Sequence, residues 1–239
     1  MSPLRVCLWS SPRNVSTALM YSFAQRPDTQ VYDEPLYPHF LRVTGAPRPD
    51  REATMGTLDT DGERVVRQVI LGAAGKPVHF FKLMPHFLVD LDRDFLDECQ
   101  HVLLTRDPGE ILASYTRVIA QPTMLDIGMA HMHELYRDLQ ARNNLAAVID
   151  AEFVLRDPPG ILAQVCARLG IPFYPEMLNW EAGPRPEDGP WAAYWYHAVH
   201  ASTGFKPYSK KTVDLPEHLH ALHRACQGYY EELRAVALR

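Results

Sequence analysis

A chain of 239 residues with 46% hydrophobic content can bury a full core, and it reads as one α/β domain, residues 1–239, rather than two. Its formal charge of −5 and pI near 6.1 exclude a general nucleic-acid or membrane-surface binder, while leaving room for a local basic pocket and a small anionic ligand. Four scattered cysteines, at 7, 99, 166 and 226, form no C-x-x-C pair and predict reduced thiols in a cytoplasmic protein.

The first stretch, Leu4 to Gln25, reads as an apolar strand, a polar turn and a helix over Val15–Gln25. Because Leu4-Arg5-Val6-Cys7-Leu8-Trp9 already has the pattern of a core strand, it is not the h-region of a leader. Its turn, Ser10 to Thr17, sets hydroxyls, a guanidinium and a rigid proline before a helix whose free N–H groups and dipole attract an anion. An ordinary capped helix, with Asn14 or Ser16 as N-cap, explains the same residues.

The strand Gln30 to Pro35 then ends on adjacent carboxylates, Asp33 and Glu34. Residues 35 to 62, rich in proline, glycine and charge, read as a long irregular insertion, with helix returning over Glu63–Ala74. Pro77 to Lys82 is the next strand, followed by Leu83-Met84-Pro85-His86 and a turn region to Asp94.

His101 to Thr105 is a buried strand that delivers Arg106 to its C-terminal end, ahead of a helix over Glu110–Val118. A helix over Asp126–Asn144, a strand over Leu145–Asp150 and a helix over Pro158–Leu169, closed by Gly170, complete the alternation. Residues 181 to 212 read as a second irregular insertion around a short aromatic helix, with a Lys206, Lys210, Lys211 cluster, and Pro216 to Arg239 is helical.

Alternating strands and helices predict a three-layer, doubly wound, mainly parallel sheet with helices on both faces and a ligand site at the strands' carboxyl ends. The polar clusters all fall at such ends. A P-loop NTPase is disfavoured, since residues 10 to 17 contain neither the glycines nor the lysine of G-x-x-x-x-G-K-[ST]. His131 and His133, two apart on a helix, point away from each other and do not make a metal pair.

Pro12-Arg13-Asn14-Val15-Ser16-Thr17 resembles the 5′-phosphosulfate loop of the sulfotransferase family. Arg106 and Ser114, eight residues apart, match the family's 3′-phosphate pair, although a salt bridge from Arg106 to Asp107 or Glu110 would also account for that arginine. A third similarity, structural in kind, runs from Asp150-Ala151-Glu152-Phe153 to Ile171-Pro172-Phe173, so the resemblance spans roughly residues 4 to 180.

It implies a P-loop-kinase-related fold, a 3′-phosphoadenosine 5′-phosphosulfate donor, no metal, and sulfonyl transfer to a hydroxyl or amine of a small molecule. It also implies Pro12, Arg13, Asn14, Ser16, Thr17, Arg106, Ser114 and Arg185 as donor contacts, and Arg13, Lys82, Glu34 and His86 as catalytic groups. Arg185 is taken from the loose echo of the family's late basic loop in Arg185 to Trp191.

Two departures bear on this. Val15 stands where many members have glycine, which predicts a different loop path. Met84 stands where animal-type members have their histidine base, leaving Glu34 as the favoured base and His86 as its substitute. Trp191, Tyr194, Trp195, Tyr196 and His197 suit either an aromatic ligand wall or packing under the last helix. A non-catalytic nucleotide-binding or regulatory protein, or a small-molecule phosphotransferase, on the same fold are the rival functions. The acceptor and the oligomeric state are not encoded in any motif.

Overall fold

In a computed structural model describing residues 3–73, 75–210 and 213–239, the apolar runs form a five-stranded, all-parallel sheet. The strands are β1 (Leu4–Ser10), β2 (Thr29–Asp33), β3 (Val78–Leu83), β4 (Gln100–Thr105) and β5 (Leu145–Asp150), in the order β2-β3-β1-β4-β5. Every strand therefore ends on the same edge, and β1 lies between β3 and β4, where the strand order reverses.

Side chains alternate across the sheet, as a period of two requires. Cys7, Trp9, Phe81, Leu83, Leu103 and Val148 face one core layer, and Val6, Leu8, Phe80, Val102, Leu104 and Ile149 face the other. Both faces are covered, so the strands read as continuous apolar runs rather than as alternating ones. Phe81 and Leu103 are fully buried, each stabilising the fold by about 2 kcal/mol. The four cysteines are buried and unbridged, and among the described residues no helix is long and apolar enough to cross a membrane.

Three expectations need correction. Residues 35 to 62 are not irregular: they fold as the helices Tyr37–Thr44 and Arg51–Thr57. Their proline and glycine sit at helix ends, Pro38 in the first turn and Gly45 as a left-handed C-cap (φ 66°), so residues read as loop formers are helix boundaries. The expected Glu63–Ala74 helix is an α-turn, Gly62–Val65, continuing as a π-helix, Val66–Ile70; Ala74 lies outside the described residues.

The Asp126–Asn144 helix is split by Gly128 (φ 69°) into Met124–Ile127 and Met129–Arg142. Residues 181 to 210 carry two helical turns, Ala192–Trp195 and His197–His200, and Asn179 pairs with Gly204 in an isolated bridge. Lys211 of the basic cluster lies outside the described residues.

Candidate active site

The turn after β1 leads into the helix Ser16–Ala24, and among the described residues no side chain caps its N-terminus. Neither Asn14 nor Ser16 is the cap; Val15 holds that position with a φ of −87°. The left-handed residue is Arg13 (φ 56°), so the turn finds its positive φ two residues before the valine and Val15 is unstrained. The Asn14 side chain donates to the Leu104 carbonyl (3.1 Å), tying the turn to β4.

Arg13 is fixed from two sides. Its Nε donates to Ser114 Oγ (3.0 Å), its Nη1 donates to the Trp195 carbonyl (3.1 Å), and its guanidinium lies 5.6 Å from the Trp195 ring centre. Burial, then Arg106 and Arg117, pull its pKa below the ordinary arginine value, which marks a site short of negative charge. Arg106 donates to the Arg13 carbonyl (2.7 Å) and forms a two-nitrogen ion pair with Glu110 (3.0 and 2.7 Å). The salt bridge weighed from the sequence is thus present, and the same arginine braces the strained turn.

Opposite the turn, parallel register sets Asp33 of β2 beside Lys82 of β3. Lys82 is buried, with its ammonium donating to Asp33 (2.7 Å), Glu34 and the Tyr196 hydroxyl. Glu34 leaves β2 in a left-handed conformation (φ 45°) that turns its carboxyl back toward Lys82. Burial raises the Glu34 pKa to about 7, with Lys82 opposing and Asp33 reinforcing the rise. Burial pulls the Lys82 pKa down, but the two carboxylates outweigh it and hold the ammonium above its usual value.

These elements enclose a cavity of about 390 Å³ at the carboxyl ends of β1, β3 and β4. The cavity brings together Pro12, Arg13, Asn14, Ser16, Thr17, Glu34, Lys82, His86, Arg106 and Ser114, residues separated by up to about a hundred positions in the chain. Its walls carry the cations Arg13, Arg48, Lys82, Arg106, Arg117 and Lys206 against the acids Glu34 and Asp126, a local positive field in a chain of charge −5.

Arg185 is placed elsewhere. Its guanidinium packs 4.8 Å from the Tyr21 ring centre and it is not a wall residue; the late segment instead turns Gly204-Phe205-Lys206 toward the cavity. His86 is a wall residue but buried between Phe40 and Phe87, and burial lowers its pKa to about 3, leaving a neutral ring of little basicity. Lys82 spends its three N–H donors on Asp33, Glu34 and Tyr196, so its ammonium is held by these partners rather than free to reach into the cavity.

Of the aromatic run, Trp191, Trp195 and Tyr196 line the cavity, while Tyr194 is 45% exposed. Trp195 stacks on Tyr115 (5.7 Å, 16°). Arg48, bound to Asp126 (2.5 Å), and buried Asp50 were missed in the sequence, because they lie in the segment read as irregular. His133 pairs with Glu232 (2.7 Å), and among the described residues no cluster of three or more ligating groups could hold a metal ion.

The chain matches the sulfotransferase domain family over residues 4–237. It is 42% identical over 223 residues to branched-chain-amino-acid aminotransferase-like protein 1 of Arabidopsis thaliana, and 40% identical over 227 residues to that plant's aminotransferase-like protein 2. These alignments cover 92% and 95% of the chain but 40% of each relative, so the chain spans under half of their length. Among solved structures it shares a fold with a sulfotransferase from Alicyclobacillus acidocaldarius (TM-score 0.57, 15% identity, 100% and 98% of the two chains). The sulfotransferase domain of the Synechococcus PCC 7002 olefin synthase has the same fold (TM-score 0.54, 15% identity, 93% and 94%).

Proposed function

The chain belongs to the sulfotransferase domain family, and on that premise we propose that it moves a sulfonyl group from 3′-phosphoadenosine 5′-phosphosulfate to a hydroxyl or amine of a small-molecule acceptor in the cytoplasm. The observation that carries this reading is a buried carboxyl held by a buried lysine, Glu34 on Lys82, in one cavity with Arg13 and a helix N-terminus that no described side chain caps.

In the proposed reaction an acceptor oxygen or nitrogen attacks sulfur, and the bond from sulfur to the 5′-phosphate oxygen breaks. The electron pair leaves on that phosphate, releasing 3′,5′-adenosine bisphosphate, and the acceptor proton passes to Glu34. Like phosphoryl transfer, this step depends chiefly on positioning and charge stabilisation. Arg13 and the amides at Ser16 and Thr17 receive the 5′-phosphate charge, with Pro12 and Asn14 holding the turn's shape. Arg106 and Ser114 take the 3′-phosphate, joined by Lys206 in place of Arg185. Lys82 keeps Glu34 aimed at the reacting centre. Glu34 is preferred to His86 as base because a ring with a pKa near 3 is a weak proton acceptor at neutral pH.

Transfer of labelled sulfonyl from the donor across a panel of hydroxyl and amine acceptors tests the proposal. Wild type should turn over at least one acceptor, and Glu34→Gln should lose about 10²-fold or more of that rate while binding 3′,5′-adenosine bisphosphate unchanged. Binding without turnover in wild type would favour the nucleotide-binding protein over the enzyme. Full activity in Glu34→Gln together with none in His86→Ala would move the base to the histidine.

A further inference from the structure

The residues that hold Glu34 do not come from its own surroundings in sequence. Asp33 accepts hydrogen bonds from the Tyr196 hydroxyl (2.8 Å to either oxygen), the Trp191 indole (3.0 Å) and the Gly189 amide (3.2 Å), as well as the Lys82 ammonium. All four groups are buried or half-buried, and the Asp33 side chain is fully enclosed. One carboxylate thereby pins the late segment 189–196 to the edge of the sheet.

That segment also carries the carbonyl and ring that fix Arg13. Trp195, the neighbour of Tyr196, accepts from the Arg13 guanidinium and stacks beneath it. A path of direct contacts therefore runs from Arg13 through Trp195 and Tyr196 to Asp33, and from Asp33 through Lys82 to Glu34. We propose that Asp33 and Tyr196 are positioning residues that couple the two halves of the site, setting the charge of the base and the aim of the donor-loop arginine together. This rests on the reading of Glu34 as base given above.

The electrostatics of the cluster make the coupling specific. One ammonium lies between two carboxylates, so the group carries one negative charge more than it can neutralise, and protonating one carboxyl relieves it. Asp33 has three further donors besides Lys82, whereas the hydrogen bond found for the Glu34 carboxyl among the described residues comes from Lys82 alone. Of the two carboxyls Glu34 is therefore the one that takes up a proton, and it lines the cavity. The charged and titratable groups facing it are Asp33 and Lys82 from the sheet, Asp50 ahead of the helix Arg51–Thr57, and Tyr37, Tyr115 and Tyr196 from the elements packed above.

Carbon-detected NMR titration of glutamate side-chain carboxyls in the ligand-free protein, with Glu34 assigned by its absence in Glu34→Gln, reads this without any turnover. Asp33→Asn removes the competing charge and leaves Lys82 to Glu34, so the Glu34 midpoint should fall by about one pH unit or more. Tyr196→Phe, a milder change that keeps the ring, should weaken 3′,5′-adenosine bisphosphate binding by about threefold to tenfold through Trp195 and Arg13, a loss comparable to one ordinary hydrogen bond. An unmoved midpoint in Asp33→Asn, or bisphosphate affinity equal to wild type in Tyr196→Phe, would overturn the coupling. If both effects appear but Glu34→Gln turns over normally, the coupling stands and the assignment of the base falls.

Discussion

At the end of the cavity proposed to take the donor, four cations, Arg13, Arg106, Arg117 and Lys206, line the walls, and Arg106 is paired behind them with Glu110; at the end proposed to hold the base, one ammonium, Lys82, lies between Asp33 and Glu34. The first arrangement is short of negative charge and the second has an excess. Arg117 and Lys206 are exposed, while Lys82 and Glu34 are 1% and 4% exposed, so solvent screens the donor end and hardly reaches the base end. On the proposed reading, a donor with several phosphate oxygens would complete the first half and a proton the second. The difference shows how a chain of net charge −5 can carry a local positive field beside a buried carboxyl.

The largest effect expected from breaking this contrast comes at Arg13, the cation from which the path through Trp195 and Tyr196 leads to the other half. Arg13→Ala should lower turnover by about 10²- to 10³-fold, the scale of losing one preorganised charge-stabilising group, with weaker donor binding in the same assay. Steady-state kinetics over a range of donor concentrations checks both.

A second effect concerns stability. The Glu34 carboxyl has an ordinary pKa of 4.5 and a folded value of about 7, so between those pH values the native chain holds a proton the unfolded chain has released. Stability attached to this group is full below pH 4.5 and is lost as pH rises through 7. Glu34→Gln, which has no such proton, should therefore melt progressively higher than wild type as pH rises from 5 to 8, by up to a few kcal/mol in thermal unfolding. His86 and His101, whose pKa values burial lowers to about 3 and 4, lose stability in the opposite direction, and do so in both proteins.

The smallest effects separate the two candidate basic residues of the late segment. Lys206→Ala should weaken bisphosphate binding by about threefold to fivefold, an exposed charge contact that shrinks with added salt, and Arg185→Ala by less than about twofold. Equal losses would return Arg185 to the donor site.

The sheet was legible because each strand is an apolar run ended by a polar cluster, and parallel topology forces those clusters onto one edge. Arg106 after β4 and Asp33-Glu34 at the end of β2 were found in that way, and the turn after β1 by its hydroxyls and arginine. The helices over residues 37–44 and 51–57 were hidden by proline and glycine, whose meaning at a helix end differs from their meaning in a loop. Arg48 and Asp50 were lost with them.

Tyr196 was noticed only as part of an aromatic run, since its bond to Asp33 spans 163 residues and has no periodic signature. The same holds for Lys206 lining the cavity where Arg185 does not, which depends on how the late segment folds over the sheet. The cluster of three lysines was visible, but nothing local indicated that its first member faces the cavity.

The central claim is that the cations at the donor end hold a nucleotide with separate 3′ and 5′ phosphates, and calorimetric titration of 3′,5′-adenosine bisphosphate into wild type and Arg106→Ala tests it most directly. The account predicts measurable binding to wild type and at least about tenfold weaker binding to the variant, the scale of a charged hydrogen-bonding group lost from a phosphate. Equal affinity in the two proteins, or no binding to wild type, would contradict it.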